Sequence, residues 1–398
     1  MTSITAGAER PASGSDRPLR IYWYWPHPHR SASPLLLSAR RPGDEFVVQA
    51  LPSSRGESFK SIVEFEVVRS LPDPTVPRAG AQRLLRPVEL TCRRSLARRR
   101  LVKRGFDVGV IELLVYRTDW FDLRAVRAQL PLVSVVHDVR PHVHSLPTRL
   151  ETALLRRLYS EECAGELIVY SHLLRNELVA DFGVHPDRVH VVPHPLDASD
   201  LRAESPRPDR PLVLFFGALR PNKGLPVLLA ALEQLPRDPG FNVVVAGAGD
   251  AATCDLLRRS AERLPFLSIE CGFVERSRKA DLFNQASLLV LPYTEFHSVS
   301  GVLADAYAYR VPVVVSNVGS LGEVVSSDAT GWVVPKSDPE ALADALTGAI
   351  TALNEESDQE AIIDRIAKAA RRHDYSVVGP QFRAACATAV EREQRSVT

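Results

Sequence analysis

Short apolar runs rich in β-branched residues recur along this chain, and a stretch with helical spacing separates most of them from the next. Through the first half they are LRIYWYW (19–25), EFVVQA (45–50), DVGVIELLV (107–115), LVSVVHD (132–138), ELIVYS (166–171) and VHVVPHP (189–195). Strands kept apart by helices cannot close as hairpins. They pair in parallel through crossovers, and a sheet covered by helices needs strands that are apolar on both faces, as these are. The pattern stops at 203–211, AESPRPDRP, where proline and charge replace apolar periodicity in the manner of an interdomain linker. It restarts with PLVLFFGA (211–218), GFNVVVAGAG (240–249), LSIECGFV (267–274), ASLLVLPY (286–293), PVVVSNVG (312–319) and TGWVVPK (330–336). A chain of 398 residues exceeds what one core holds, so the repeated pattern reads as two α/β domains in tandem. The expected division is a disordered tail over 1–17, a first parallel-sheet domain over 18–202, the linker at 203–211, a second such domain over 212–372, and a helical segment over 373–398 packing back toward the first domain. Ligands of open parallel sheets bind outside the carboxyl ends of the strands, so two such domains facing one another place a site in the cleft between them.

Bulk properties exclude several partners. A formal net charge of +1 provides no field that favours nucleic acid. Residues 1–17, MTSITAGAERPASGSDR, are polar and lack the apolar core of a signal peptide, and no run approaches the ~18 apolar residues of a membrane span. Cys92, Cys163, Cys254, Cys271 and Cys386 form no CxxC pair and read as reduced, buried thiols, which points to the cytoplasm.

Two segments of the second half carry the chemistry of a phosphate site. In FFGALRPNKGLPVLLAAL (215–232) a strand turns tightly at Gly217, and Arg220 and Lys223 leave a loop beside the start of a leucine-spaced helix. Cations next to the positive end of a helix suit a diphosphate, although a solvated basic loop is the commoner meaning of either residue alone. In ASLLVLPYTEFHSVSGVLADAYAYRVPVVVSNVGSLGEVV (286–325) a buried strand ends at Pro292 and Ser300-Gly301 opens a helix. Free amides at Ser300, Gly301 and Val302 can point at a phosphate, and Asp305, one turn further in, can accept from ribose hydroxyls. The alternative makes Ser300 a helix cap and Asp305 a surface acid.

Together and in order, these pieces resemble the family 4, or group 1, glycosyltransferases. The matching stretches are FFGALRPNKG (215–224), VVVAGAG (243–249), CGFV (271–274), LPYTEFHSVSGVLADAYAYRVPVV (291–314), GSLGEVV (319–325) and TGWVVPKSDPEALADAL (330–346), dense over 211–350 and looser before it. The resemblance implies the GT-B fold, two Rossmann-like parallel-sheet domains facing a central cleft, and transfer with retention of anomeric configuration. It places a nucleotide-sugar donor on the C-terminal domain, with Gly217, Arg220, Lys223, Gly247, Ser300, Gly301, Val302 and Asp305 around it. It places the acceptor on the N-terminal domain and requires neither a cofactor nor an obligatory metal. Lys223 matches the family's diphosphate lysine and Asp305 the second acid of its paired-acid motif. Three positions depart from the pattern. Ala218 stands where the family has arginine, and Arg220 is placed to do that work. The first acid of the pair falls on His297, with Glu295 two residues earlier. YWPHPHRSASP (24–34) takes the place of a glycine-rich loop after the first strand.

On the acceptor side, LVSVVHD ends in His137-Asp138. His137 stands at a strand's carboxyl end and matches the histidine that lies near the reacting sugar in the resembled family, where an imidazole can hydrogen-bond without full charge. His142 and His144 have no such match. His27-x-His29 and His142-x-His144 come without the third and fourth ligands of a stable metal site. Residues 78–104 hold Arg93, Arg94, Arg98, Arg99, Arg100, Lys103 and Arg104 against the single acid Glu89, with Val88, Cys92 and Leu96 four apart. Such a helix turns its arginines outward, either to solvent or, through Arg93–Arg100, to the anionic inner face of a membrane. The function expected is transfer of a hexosyl group from a UDP- or GDP-sugar to a hydroxyl of a glycan, lipid-linked sugar or small metabolite, with His137, Glu295 and His297 orienting the sugar. Two other readings stay open on the residues alone: another enzyme on the same fold, such as a phosphorylase or epimerase, and a nucleotide-sugar-binding protein without turnover.

Overall fold

The computed structural model describes residues 17–25, 32–49, 66–68, 103–113, 119–140, 148–196, 208–295 and 300–397. In its first half β1 (Arg20–Tyr24), β2 (Glu45–Gln49), β3 (Glu66–Val68), β4 (Val108–Leu113), β5 (Leu132–Val136), β6 (Glu166–Val169) and β7 (Val189–Val191) form one sheet in the order β3-β2-β1-β4-β5-β6-β7. In its second half β8 (Leu212–Phe216), β9 (Asn242–Gly247), β10 (Leu267–Cys271), β11 (Leu288–Leu291), β12 (Val313–Ser316) and β13 (Gly331–Val334) form another, ordered β10-β9-β8-β11-β12-β13. Every strand pairing in both sheets is parallel. Twelve of these strands lie within the apolar runs of the sequence; β3 is the addition, a three-residue edge strand that no apolar run marks. The two-domain α/β architecture expected of the GT-B fold is therefore present.

Helices α1 (Ala32–Ala39), α2 (Asp119–Arg127), α3 (Thr148–Leu158), α4 (Glu161–Ala164) and α5 (His172–Phe182) belong to the first sheet, and α6 (Leu225–Leu232), α7 (Ala251–Arg263), α8 (Arg276–Gln285), α9 (Gly301–Ala308), α10 (Ser320–Asp328) and α11 (Pro339–Asn354) to the second. Their starts follow local chemistry. Ser171 Oγ accepts from Leu174 N at the head of α5, Asp250 Oδ1 from Thr253 N at the head of α7, and Asp338 Oδ1 from Ala341 N at the head of α11, where Pro339 occupies the first turn.

The chain then runs through α12 (Glu356–His373) into α13 (Tyr375–Val397), which leaves the second sheet and lies on the first. Val378, Phe382, Ala385 and Cys386 share a core with Ile21, Trp23, Val48 and Val110, and the Phe382 and Trp23 rings stack at 5.8 Å. A buried ion pair fixes the contact: Arg383 Nε donates to Asp44 Oδ2 at 2.8 Å, with the two side chains 2% and 0% exposed. The N-terminal body is thus built from both ends of the chain.

The expectation of five reduced thiols needs correction. Cys254 on α7 and Cys271 at the end of β10 are joined as a disulfide, with Cα atoms 5.9 Å apart. They stand 17 positions apart in sequence, so only the packing of α7 beside β10 brings them together. Cys163 and Cys386 are buried, and burial pushes the Cys386 thiol up to about 12. Cys92 lies outside the described residues. Among the described residues, no helix is long and apolar enough to cross a membrane.

Candidate functional site

In the C-terminal sheet the strand order reverses between β8 and β11, since β9 and β10 lie on one side of β8 and β12 and β13 on the far side of β11. The loops leaving two such strands diverge to opposite faces and open a crevice, where ligands of doubly wound sheets bind. The loop after β8 carries Gly217, Arg220 and Lys223; the segment after β11 leads to Tyr293, Thr294, Glu295 and, past 296–299, to Ser300 at the head of α9. Backbone contacts bind them together, because Thr294 N donates to Asn222 O at 3.1 Å. At β9, Gly247 has φ +153°, and a side chain there would collide with Gly217 O. Gly217 itself has φ +129° and a Cβ on it would stand 3.5 Å from Val302 Cγ2. Glycine at 247 lets the end of β9 approach the loop after β8 at the carboxyl edge, and glycine at 217 takes a backbone angle that side-chain-bearing residues rarely adopt.

Positive charge collects in this crevice. Pro221–Lys223 form a 3₁₀ turn that lifts Arg220 and Lys223 above the sheet, Arg220 exposed and Lys223 half-buried. Lys223 Nζ lies 3.7 Å from the centroid of the buried Tyr293 ring. Burial, reinforced by the charge of Arg220, pushes the Lys223 ammonium down to about 8. Opposite it, α9 opens without help from its cap residue: the Ser300 side chain accepts no hydrogen bond from the helix and sits 3.5 Å from Tyr293 OH instead. The first-turn amides therefore lack the usual serine oxygen, and open space surrounds Gly301 where a side chain would stand. The arrangement is chemically suited to a polyanion, which would face two side-chain cations and a helix N-terminus at once.

Asp305, one turn into α9, pairs with Lys279 of α8, Oδ1 to Nζ at 2.5 Å. Burial raises the Asp305 carboxyl, with the charge and hydrogen bond of Lys279 opposing it. Lys279 carries no sequence signal of its own, being one cation in the polar stretch ERSRKAD. Glu295 is exposed, its N–H directed at Asn222 O at 3.5 Å. His297 lies outside the described residues, as do His27, His29, His142, His144 and the basic run Arg93–Arg100. Among the described residues no group of three or more His, Cys, Asp or Glu side chains gathers as a metal site.

In the N-terminal sheet His137 immediately follows β5, with its side chain 27% exposed. Its Nε2 lies 2.6 Å from Oε2 of Glu112, a residue of β4 that sequence patterning did not single out. Glu112 Oε1 accepts from Trp23 Nε1 at 3.1 Å. Burial works against the charged imidazole, and the hydrogen bond and charge of Glu112 with the charge of Asp138 outweigh it, so the His137 pKa is raised. The signal for Glu112 was present in DVGVIELLV: a lone acid within a strand otherwise apolar on both faces.

The two carboxyl edges face each other. Glu323, in the first turn of α10 beyond β12, accepts from His172 N at 2.9 Å and Leu173 N at 2.8 Å, at the head of α5 beyond β6. A carboxylate on the N-terminus of a helix from the other domain is a favourable charge–dipole contact. A separate cavity of about 330 Å³ lies at the opposite, amino edge of the C-terminal sheet, among Pro211, Asn284, Ser287, Arg310 and Pro312.

Comparison with known proteins places the chain in a family. Residues 39–200 match the model of Glycosyltransferase Family 4 and residues 210–352 that of Glycosyl transferases group 1. A D-inositol 3-phosphate glycosyltransferase of Xylanimonas cellulosilytica is 30% identical over 62% of this chain and 68% of its own length. A phosphatidyl-myo-inositol mannosyltransferase of Mycobacterium tuberculosis is 31% identical over 64% and 67%. In fold, the chain is similar to Anabaena HepE, whose crystal structure was determined in complex with UDP, with a TM-score of 0.66 and 17% identity over 96% of this chain and all of that one.

Proposed function

The chain belongs to the family 4, or group 1, glycosyltransferases and is a glycosyltransferase, and from that premise we propose that it transfers a hexosyl group from a UDP- or GDP-sugar held in the β8–β11 crevice. The observation that carries this reading is the convergence of Arg220, Lys223 and the uncapped head of α9 on one switch point. The largest charge that develops during transfer is on the departing nucleotide diphosphate, and groups aimed there stabilise the transition state most. Arg220, Lys223 and the amides at Ser300, Gly301 and Val302 supply that positive charge without a metal. HepE is a protein of this fold solved with UDP, which supports a uridine or related nucleotide as ligand.

The acceptor is a hydroxyl of a glycan, a lipid-linked sugar or a small metabolite, bound on the edge that carries His137. The names of the curated relatives, one an inositol phosphate enzyme and one a phosphatidylinositol enzyme, support a polar acceptor that is free or lipid-linked. Transfer proceeds with retention. The acceptor oxygen bonds to the anomeric carbon on the face from which the phosphate oxygen departs, and the acceptor's proton passes to that phosphate. A cytoplasmic location, with Arg93–Arg100 resting on anionic lipid, fits a lipid-linked acceptor; binding to anionic vesicles should then fall steeply with salt, and salt-independent binding or none removes that part.

Release of free nucleotide from a panel of UDP- and GDP-sugars tests the reading. Turnover of at least one donor, surviving excess EDTA and strongly reduced in Lys223→Ala, is expected. Turnover that EDTA abolishes and a divalent ion restores contradicts the metal-free part, and a Lys223→Ala enzyme of full activity contradicts the site.

A further inference from the structure

Glu112 is 4% exposed and shares β4 with the buried apolar residues Val108, Val110 and Ile111. An ionised carboxylate in such a place is costly unless its oxygens are satisfied, and here both are engaged, by different elements. Trp23 of β1 gives its indole N–H to Oε1, and His137 beyond β5 brings Nε2 to Oε2. These strands are neighbours in the order β1-β4-β5, so the three side chains form a relay across the point where the N-terminal strand order reverses.

Chemistry sets the protons in this relay. An indole nitrogen only donates and an ionised carboxylate only accepts, so the proton between Glu112 and His137 resides on Nε2. The imidazole then has one polar atom left, Nδ1, on a side chain 27% exposed at the carboxyl edge, whereas Glu112 is sealed beneath it. We propose that Glu112 is a positioning residue for the transfer reaction: it fixes His137 as the Nε2–H form and leaves Nδ1 as the ring's only contact atom for the bound sugar or the incoming hydroxyl. Nδ1 accepts from a hydroxyl when the ring is neutral and donates to an oxygen when the ring is charged. The ionisable groups that face the ring are Glu112 from β4, Asp138 beside it in the chain and Tyr170 past β6, its ring centroid 5.3 Å away, with His194 behind Tyr170 at 4.9 Å. Glu112 and Asp138 favour the charged ring against burial, so the changeover between accepting and donating lies above the ordinary imidazole range.

The inference rests on the transferase reading only for its kinetic consequence, and nitrogen NMR of protein labelled in histidine tests the geometry without any substrate. The His137 signal is assigned by its loss in His137→Gln. The wild-type ring should titrate above the ordinary histidine value and, once neutral, show the Nε2–H tautomer. In Glu112→Gln the uncharged amide keeps the size but not the charge, so the His137 pKa should fall by about one unit, a tenfold change in the protonation equilibrium. The pH profile of kcat, with whichever sugar nucleotide the panel shows to be a donor, should move by the same amount while the donor KM stays near its wild-type value. A neutral wild-type ring in the Nδ1–H form overturns the inference, and so does a folded Glu112→Gln protein whose His137 titrates as before. The wild-type spectrum decides even if the variant fails to fold. A wild-type Nε2–H ring in a protein that turns over no sugar nucleotide upholds the relay and counts against the transferase reading instead.

Discussion

Lys223 makes nucleotide affinity depend on pH in a calculable way. Its ammonium is held down to about 8 by burial and by the charge of Arg220, so the free protein loses this cation within a range where the nucleotide's phosphates keep their full charge. If the diphosphate binds only the protonated form, the apparent dissociation constant equals the intrinsic one divided by the protonated fraction. That fraction is roughly 0.9 at a pH near 7 and roughly 0.14 at a pH near 8.8, for an ammonium titrating at about 8. Affinity for UDP or GDP should therefore fall about six- to sevenfold between the two, with proton uptake on binding that grows over the same interval. Calorimetry in two buffers of different ionisation enthalpy measures both quantities. Lys223→Met should bind weakly at both pH values and show a flat profile. A flat profile in the wild type, or an equal decline in Lys223→Met, would refute the assignment of Lys223 to the diphosphate.

Three further outcomes follow from particular contacts. Arg383→Met leaves the Asp44 carboxylate buried on the amides of Leu19 and Arg41 alone, so the melting transition of the N-terminal body should lose about 3–5 kcal/mol, whereas adding Asp44→Asn should restore much of it; equal losses in single and double variants would contradict the pairing. Burial works to raise the Asp44 pKa, but Arg383 together with the amides of Arg41 and Leu19 outweighs it and lowers the value in the folded state, so their contribution is present above the unfolded-state value and is lost as pH falls through the folded one, which acid titration of the two proteins compares. Glu323→Gln weakens a charge-assisted contact between the domains by about 1 kcal/mol, some fivefold in any closed-to-open ratio, and solution scattering should show a larger radius of gyration with both domains folded; an unchanged radius denies the contact a role in closure. His137→Ala should lower kcat by about 10- to 1,000-fold with nucleotide affinity nearly unchanged, if one or two hydrogen bonds that strengthen in the transition state are lost. A destabilised but fully active variant would make His137 a core residue.

The sheets were legible in the sequence because parallel strands buried on both faces must be apolar throughout, as LVSVV and LLVL are. Strand order was not, since residues far apart in sequence decide it, and with it the switch points that organise both edges. The basic loop after β8 and the helix start at Ser300 stood out as charge and glycine in apolar surroundings, whereas partners set by packing did not. Glu112, Lys279 and Glu323 gain their meaning from His137, Asp305 and the head of α5, which are 25, 26 and about 150 residues away. The Cys254–Cys271 bond was hidden for the same reason, and assigning reduced thiols from the absence of CxxC spacing failed because that spacing describes only one way for cysteines to meet.

Hydrogen exchange of the whole chain with and without saturating UDP or GDP tests most directly whether the nucleotide sits at the C-terminal switch point. Ligand amides and ordered loops exchange more slowly, so protection is expected in peptides covering 217–224 and 300–305, with the amino edge of the same sheet unaffected. Nucleotide binding that leaves both segments unprotected, and slows exchange around 284–287 and 310–312 beside the opposite cavity instead, would contradict it.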